Sequence, residues 1–189
     1  MNWNLTQNDS YYHARMVEEK ARRTGTAGVW QEFAALKAQK GSYTLATYGY
    51  FNAALACEQA GDIEQSFGLY AQAFQNARRA GSKEVALMVA YRHALLAERA
   101  ERWEAGIGVY EALGALAEEL GSHFLAADAY EHAAEIMVRA GKPVAGYGKP
   151  IEQWEKNAAY WRERGQEDDA SWSERHIALY KALFGVGAE

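Results

Sequence analysis

The chain has 189 residues, enough to bury a sizeable core, and 49% of them are apolar. Its formal net charge of -5 argues against nonspecific binding to nucleic acid or to an anionic membrane surface, both of which need a basic footprint. One cysteine, Cys57, excludes an intramolecular disulfide, and no run approaches the ~20 apolar residues that span a bilayer.

In chain order, Met1 to Lys20 opens polar and carries no apolar core of a secretory signal, so a cytoplasmic location is expected. Helices are predicted at 7–22 and 27–40, the second marked by Trp30 and Phe33. From there the punctuation is periodic. Gly41-Ser42 recurs as Gly81-Ser82 and Gly121-Ser122, each 40 residues on, and Ala60-Gly61, Ala100-Glu101 and Ala140-Gly141 stand midway. A glycine past a helix end takes the left-handed conformation that closes it, and a following Ser or Asp is suited to cap the next helix. Glu101 fills one such position without being glycine.

Between these marks the apolar period is helical. The stripe Gly49, Tyr50, Ala53, Ala54, Cys57 returns as Val89, Ala90, His93, Ala94, Ala97 and as Ala129, Tyr130, Ala133, Ala134, Met137. Most of these side chains are small, so neighbouring helices can approach closely. The alternate helices carry larger residues, Phe67, Tyr70 and Phe74, then Trp103, Ile107 and Tyr110. The spacing predicts helices at 43–60, 62–80, 83–100, 102–120, 123–140, 151–164 and 170–184, joined by tight turns and therefore antiparallel. Both prolines, Pro143 and Pro150, fall in the one extended loop, 141–150, which reads as an insertion.

The segment 50–74, YFNAALACEQAGDIEQSFGLYAQAF, resembles the tetratricopeptide consensus through Tyr50, Ala53, Ala54, Gly61-Asp62, Ser66, Tyr70 and Ala73. The period of 40 exceeds the 34 residues usual for that family, and the proline after the second helix is replaced by Gly-Ser. The resemblance implies an all-α fold: antiparallel helix-hairpin repeats stacked as a right-handed α-solenoid in a single domain, 1–189. It would hold an N-terminal helix pair at 7–40, repeats at 43–80, 83–120 and 123–164, and a C-terminal capping helix at 170–184.

The resemblance also implies a non-catalytic scaffold that binds a peptide or partner helix on the concave surface lined by the first helix of each pair. The positions carried over are Phe51, Asn52 and Leu55; Tyr91, Arg92 and Leu95; and Glu131, His132 and Glu135. Tyr48, Met88, Asp128 and Arg139 border them, and Tyr11, Tyr12 and Arg15 extend them toward the N-terminus. Aromatic and leucine anchors beside a polar row suit a peptide, with Asn52 offered to its backbone and Arg92 to a carboxylate. A rotation of one position would instead pack Phe51 and Tyr91 against a neighbouring helix.

No metal or cofactor is implied. No histidine has Glu three residues before it, as a di-iron bundle requires, and Asp128 with His132 is a lone pair. His93, in the small-residue stripe, reads as a packed and hydrogen-bonded histidine, and Cys57 as a buried, inert thiol. The loop is not a phosphate-binding GxxxxGK[ST] motif, because Pro150 stands where Ser or Thr is needed. Two alternatives stay open: a self-assembling homo-oligomer, and a small-ligand or metal-binding helical sensor or enzyme near Asp128 and His132.

Overall fold

The computed structural model describes Met16 and residues 19–185, and among these every regular element is helical. Residues 19–24 form the end of a first helix. The rest of the helix predicted at 7–22, with Tyr11, Tyr12, His13 and Arg15, lies outside the described residues. Eight further helices follow: α1 Ala27–Gln39, α2 Tyr43–Gln59, α3 Ile63–Arg79, α4 Lys83–Arg99, α5 Trp103–Glu119, α6 His123–Arg139, α7 Lys149–Arg162 and α8 Glu167–Phe184. Their ends fall within a few residues of those the sequence periodicity predicts.

The turns explain the regularity. Each of α1 to α6 closes with a backbone bond running five residues back, Ser42 N–H to Lys37 C=O at 2.9 Å and Asp62 N–H to Cys57 C=O at 2.9 Å among them. This closure puts one residue in the left-handed region. Glycine fills it at five of the six helix ends, and Glu101 fills it at the end of α4 with φ 54°. Helix starts are less uniform. Asp62 accepts from the Gln65 N–H at 3.0 Å, but Ser42 and Ser122 make no such side-chain bond. All three have a similar backbone, and of the three only the aspartate makes the bond.

The chain divides into two compact units, residues 1–96 and 97–189. In the first, α1 packs on α2 and α2 on α3. The predicted small-residue stripe faces this core: Gly49, Tyr50, Ala53, Ala54 and Cys57 are all buried, together with Phe33, Leu69 and Tyr70. Burial pushes the Cys57 thiol up, which suits the inert reading. Gly49 marks where two helices touch, since a Cβ there would stand 2.8 Å from the Ala34 Cβ and 3.1 Å from its Cα.

In the second unit α5 packs on α6, α6 on α7 and α7 on α8. Ala129, Tyr130, Ala133 and Ala134 are buried, and Gly114 makes room for the Tyr130 ring. The loop after α6 is held to α5. Lys142 pairs with Glu104, and Tyr147 Oη and Lys149 Nζ each lie 3.3 Å from Glu111 Oε1. Val144 is buried, and Pro150 sits in the first turn of α7, where its missing N–H costs nothing.

Candidate interaction surface

In the first unit, the residues assigned to binding lie on α2 and α4. Helix periodicity that buries Tyr50, Ala53, Cys57, Val89 and Ala90 turns positions 48, 51, 52, 55 and 88, 91, 92, 95 away from the deepest core. Met88 and Tyr91 are 51% and 50% exposed, and Tyr48 is exposed while its ring edge meets Trp30. Phe51, Leu55 and Leu95 are half-buried. Phe51 meets the Tyr70 ring edge-on at 5.6 Å, so it serves the core as well as the surface, whereas Tyr91 stands in solvent.

The polar members of this row are engaged within the chain. Asn52 Nδ2 donates to the Tyr48 carbonyl at 2.8 Å. Arg92 Nη2 donates to Glu58 Oε1 at 2.9 Å, and Tyr70 Oη donates to Glu58 Oε2 at 2.9 Å. Burial and this carboxylate neighbour push the Tyr70 phenol up to about 12, and Tyr70 and Glu58 beside it hold the Arg92 guanidinium firmly charged. Arg92, offered from the sequence to a ligand carboxylate, therefore already has an internal one.

His93 lies beside this network but faces inward. Phe67 meets it at 4.0 Å and Tyr70 stacks on it at 6.0 Å. Burial lowers its pKa to about 4, so it is neutral at pH 7. It is packed as expected, but its Nε2 makes no hydrogen bond. The enclosing rings offer that nitrogen no acceptor or donor.

In the second unit, α6 presents Asp128, Glu131, His132 and Glu135. His132 stacks on Tyr110 at 5.2 Å, with Nδ1 3.4 Å from Glu135 Oε2 and Nε2 3.9 Å from Asp128 Oδ1. The Glu135 contact raises the His132 pKa, and the same contact holds the Glu135 carboxyl below its usual range. Glu131 accepts from Trp154 Nε1 at 2.8 Å and lies 3.6 Å from His176 Nδ1, while burial pushes its carboxyl up. Among the described residues no group of three or more His, Cys, Asp or Glu side chains is placed to hold a metal ion, and no helix is long and apolar enough to cross a membrane.

No family model and no curated protein matches the chain. Solved structures do. One is of nearly identical TPR-like repeats of a Podosopora anserina protein described as a kinesin light chain, with 11% identity, 97% of this chain and 98% of that chain covered, and a TM-score of 0.33. Another is BtubC (BKLC) from P. vanneervenii, with 13% identity, 97% and 93% covered, and a TM-score of 0.32.

One recurring feature escaped the sequence. A tyrosine donates to a glutamate twelve residues earlier in the preceding helix at Tyr70–Glu58, Tyr110–Glu98 and Tyr130–Glu118, the last at 2.5 Å. The signal is visible once the pairs are known, as Glu58 and Glu98 are 40 residues apart and so are Tyr70 and Tyr110. Each glutamate stands in the last turn of its helix.

Proposed function

We propose that the chain is a non-catalytic protein-interaction scaffold that binds a peptide or a partner helix on the outward face of its first helices. The carrying observation is the exposure of Tyr48, Met88 and Tyr91 on α2 and α4, with Tyr48 and Met88 at equivalent positions of successive repeats. Large apolar side chains at repeat-equivalent surface positions, with half-buried Phe51, Leu55 and Leu95 beneath them, supply anchors. The Glu58, Tyr70 and Arg92 side chains are bonded to one another. In the second unit the repeat-equivalent row on α6 carries Asp128, Glu131 and Glu135, which suits a basic segment bound there.

A photo-crosslinking amino acid placed at Met88 tests this reading. A discrete adduct with one partner, trapped from native lysate and lost in a folded Tyr48→Ser/Tyr91→Ser variant, is the expected outcome. Crosslinking that is diffuse, or that survives those substitutions unchanged, removes this face as the binding site.

A further inference from the structure

From the sequence, helix 170–184 is a cap. As folded, α8 begins 44 residues after α6, at Glu167 against His123, so it holds the place of another first helix, shifted by four residues across the inserted loop. Its inner side is packed: Ala170, Ser173 and Tyr180 are buried, Asn157 Nδ2 donates to Ser173 Oγ at 2.9 Å, and Tyr180 Oη donates to the Tyr147 carbonyl at 3.0 Å. A capping helix whose outer side met only water would be polar there. Instead a second stripe runs Trp172, His176, Leu179, Leu183, with the 4, 3, 4 spacing of one helix face. Leu179 and Leu183 are 53% and 66% exposed.

This stripe adjoins the acidic row of α6. Trp172 stacks on Phe124 at 5.7 Å, and His176 Nδ1 lies 3.6 Å from Glu131. The 44-residue offset sets Leu179 and Leu183 in the positions that Glu135 and Arg139 hold on α6. Arg139 is itself drawn toward Glu98, 3.9 Å away. The surface is thus aromatic at one end, carboxylate-lined along α6 through Asp128 and Glu135, and aliphatic along α8.

We infer that the α6–α8 surface receives an amphipathic helix from a partner protein, its leucine-type stripe on Leu179 and Leu183 and its Lys or Arg flank toward Asp128 and Glu135. This rests on the reading of the first-helix face as the binding face. Charge decides the occupant. A second copy docking through the same stripe would bring a second set of Asp128 and Glu135 carboxylates to the interface. A helix with a basic flank meets the carboxylates with opposite charge while covering the leucines.

The test pans a displayed library of helical peptides, with a fixed leucine stripe and flanks varied between lysine and glutamate, on the full chain. Lysine-flanked peptides should be enriched. The tightest should bind at least ~10-fold more weakly to Leu179→Ser/Leu183→Ser and to Asp128→Asn/Glu135→Gln, a loss of about 1.4 kcal/mol or more. All four positions are surface ones, so both variants should fold. Glutamate-flanked winners, no enrichment, or binding indifferent to both variants would overturn the inference. Lysine-peptide binding lost only in Tyr48→Ser/Tyr91→Ser overturns it while leaving the first-helix reading standing. A dimer in sedimentation that Leu179→Ser/Leu183→Ser dissolves assigns the stripe to a second copy, and overturns it too.

Discussion

Tyr70 donates its phenolic proton to Glu58, twelve residues back across the α2–α3 turn, and the other oxygen of that carboxylate takes the Arg92 guanidinium at 2.9 Å. The Glu58 side chain is only 9% exposed, so its charge is held by these partners more than by water. Removing a donor from a part-buried charged acceptor costs more than removing a neutral pair. Tyr70→Phe should therefore lower stability by about 1–2 kcal/mol, read as a drop in urea midpoint with little change in slope. Arg92→Glu should cost more, because it sets a second carboxylate against Glu58. A binding loss in that variant would thus not locate a site, and Tyr91→Ser is the cleaner probe. An Arg92→Glu protein as stable as wild type would show that the network contributes little.

Two glycines mark close helix contacts. A Cβ at Gly49 meets Ala34, including its backbone, and one at Gly114 falls 2.6 to 2.9 Å from the Tyr130 ring. Alanine favours a helix by about 1 kcal/mol over glycine, so propensity alone predicts stabilisation. Overpacking opposes it by about 1–3 kcal/mol, and at Gly49 the obstacle is backbone that cannot rotate away. Gly49→Ala should melt lower than wild type. Gly68→Ala, where nothing stands within 4 Å, should melt higher. The same sign for both would remove the steric account.

The helix-pair architecture was legible because its signals are local. Glycine placement fixes where helices end, and the 3.6-residue period shows which side is apolar, so the stripe at Gly49, Tyr50, Ala53, Ala54 and Cys57 could be named before it was seen buried. The surface was less legible, for three physical reasons. Phe51 and Tyr91 are repeat-equivalent, yet one meets Tyr70 and the other meets solvent, and only packing decides between them. Arg92 finds Glu58 across 34 residues, a pairing no spacing rule gives. The helix at 170–184 reads as a cap because an apolar stripe in sequence does not say whether it faces in or out, and Leu179 and Leu183 on it are exposed.

Glu101 is the one non-glycine among the described residues with positive φ, at 54°. An L-residue pays roughly 1 kcal/mol for that conformation, whereas glycine does not. Glycine's larger unfolded-state entropy returns part of the gain. Glu101→Gly should stabilise by about 0.5–1 kcal/mol. For a chain of this length that is a rise of about 1–4 °C in melting temperature. The control is Gly61→Ala at the equivalent turn, φ 80°, which should fall. A Glu101→Gly protein that melts lower would mean the glutamate side chain contributes more than the backbone strain removes.

His93 makes stability depend on pH in a direction that can be worked out. Its pKa is about 4 in the folded chain, against 6.5 for an unburied imidazole, because Phe67 and Tyr70 enclose it. Between those values the unfolded chain binds a proton that the folded chain refuses. Stability therefore falls as pH drops through this interval and is flat above it. One group shifted this far accounts for about 2–3 kcal/mol between pH 7 and pH 4.5. His93→Leu removes both the titration and the unbonded Nε2 while keeping an apolar side chain between the two rings. It should be at least as stable as wild type at pH 7, and its advantage should widen on acidification. Carboxylates such as Glu135, held below their usual range, also weaken the fold in acid, but they do so equally in both proteins. The difference between the two urea-midpoint curves isolates His93, and a difference that stays constant from pH 7 to pH 4.5 would mean that His93 is protonated in the folded chain as readily as in the unfolded one.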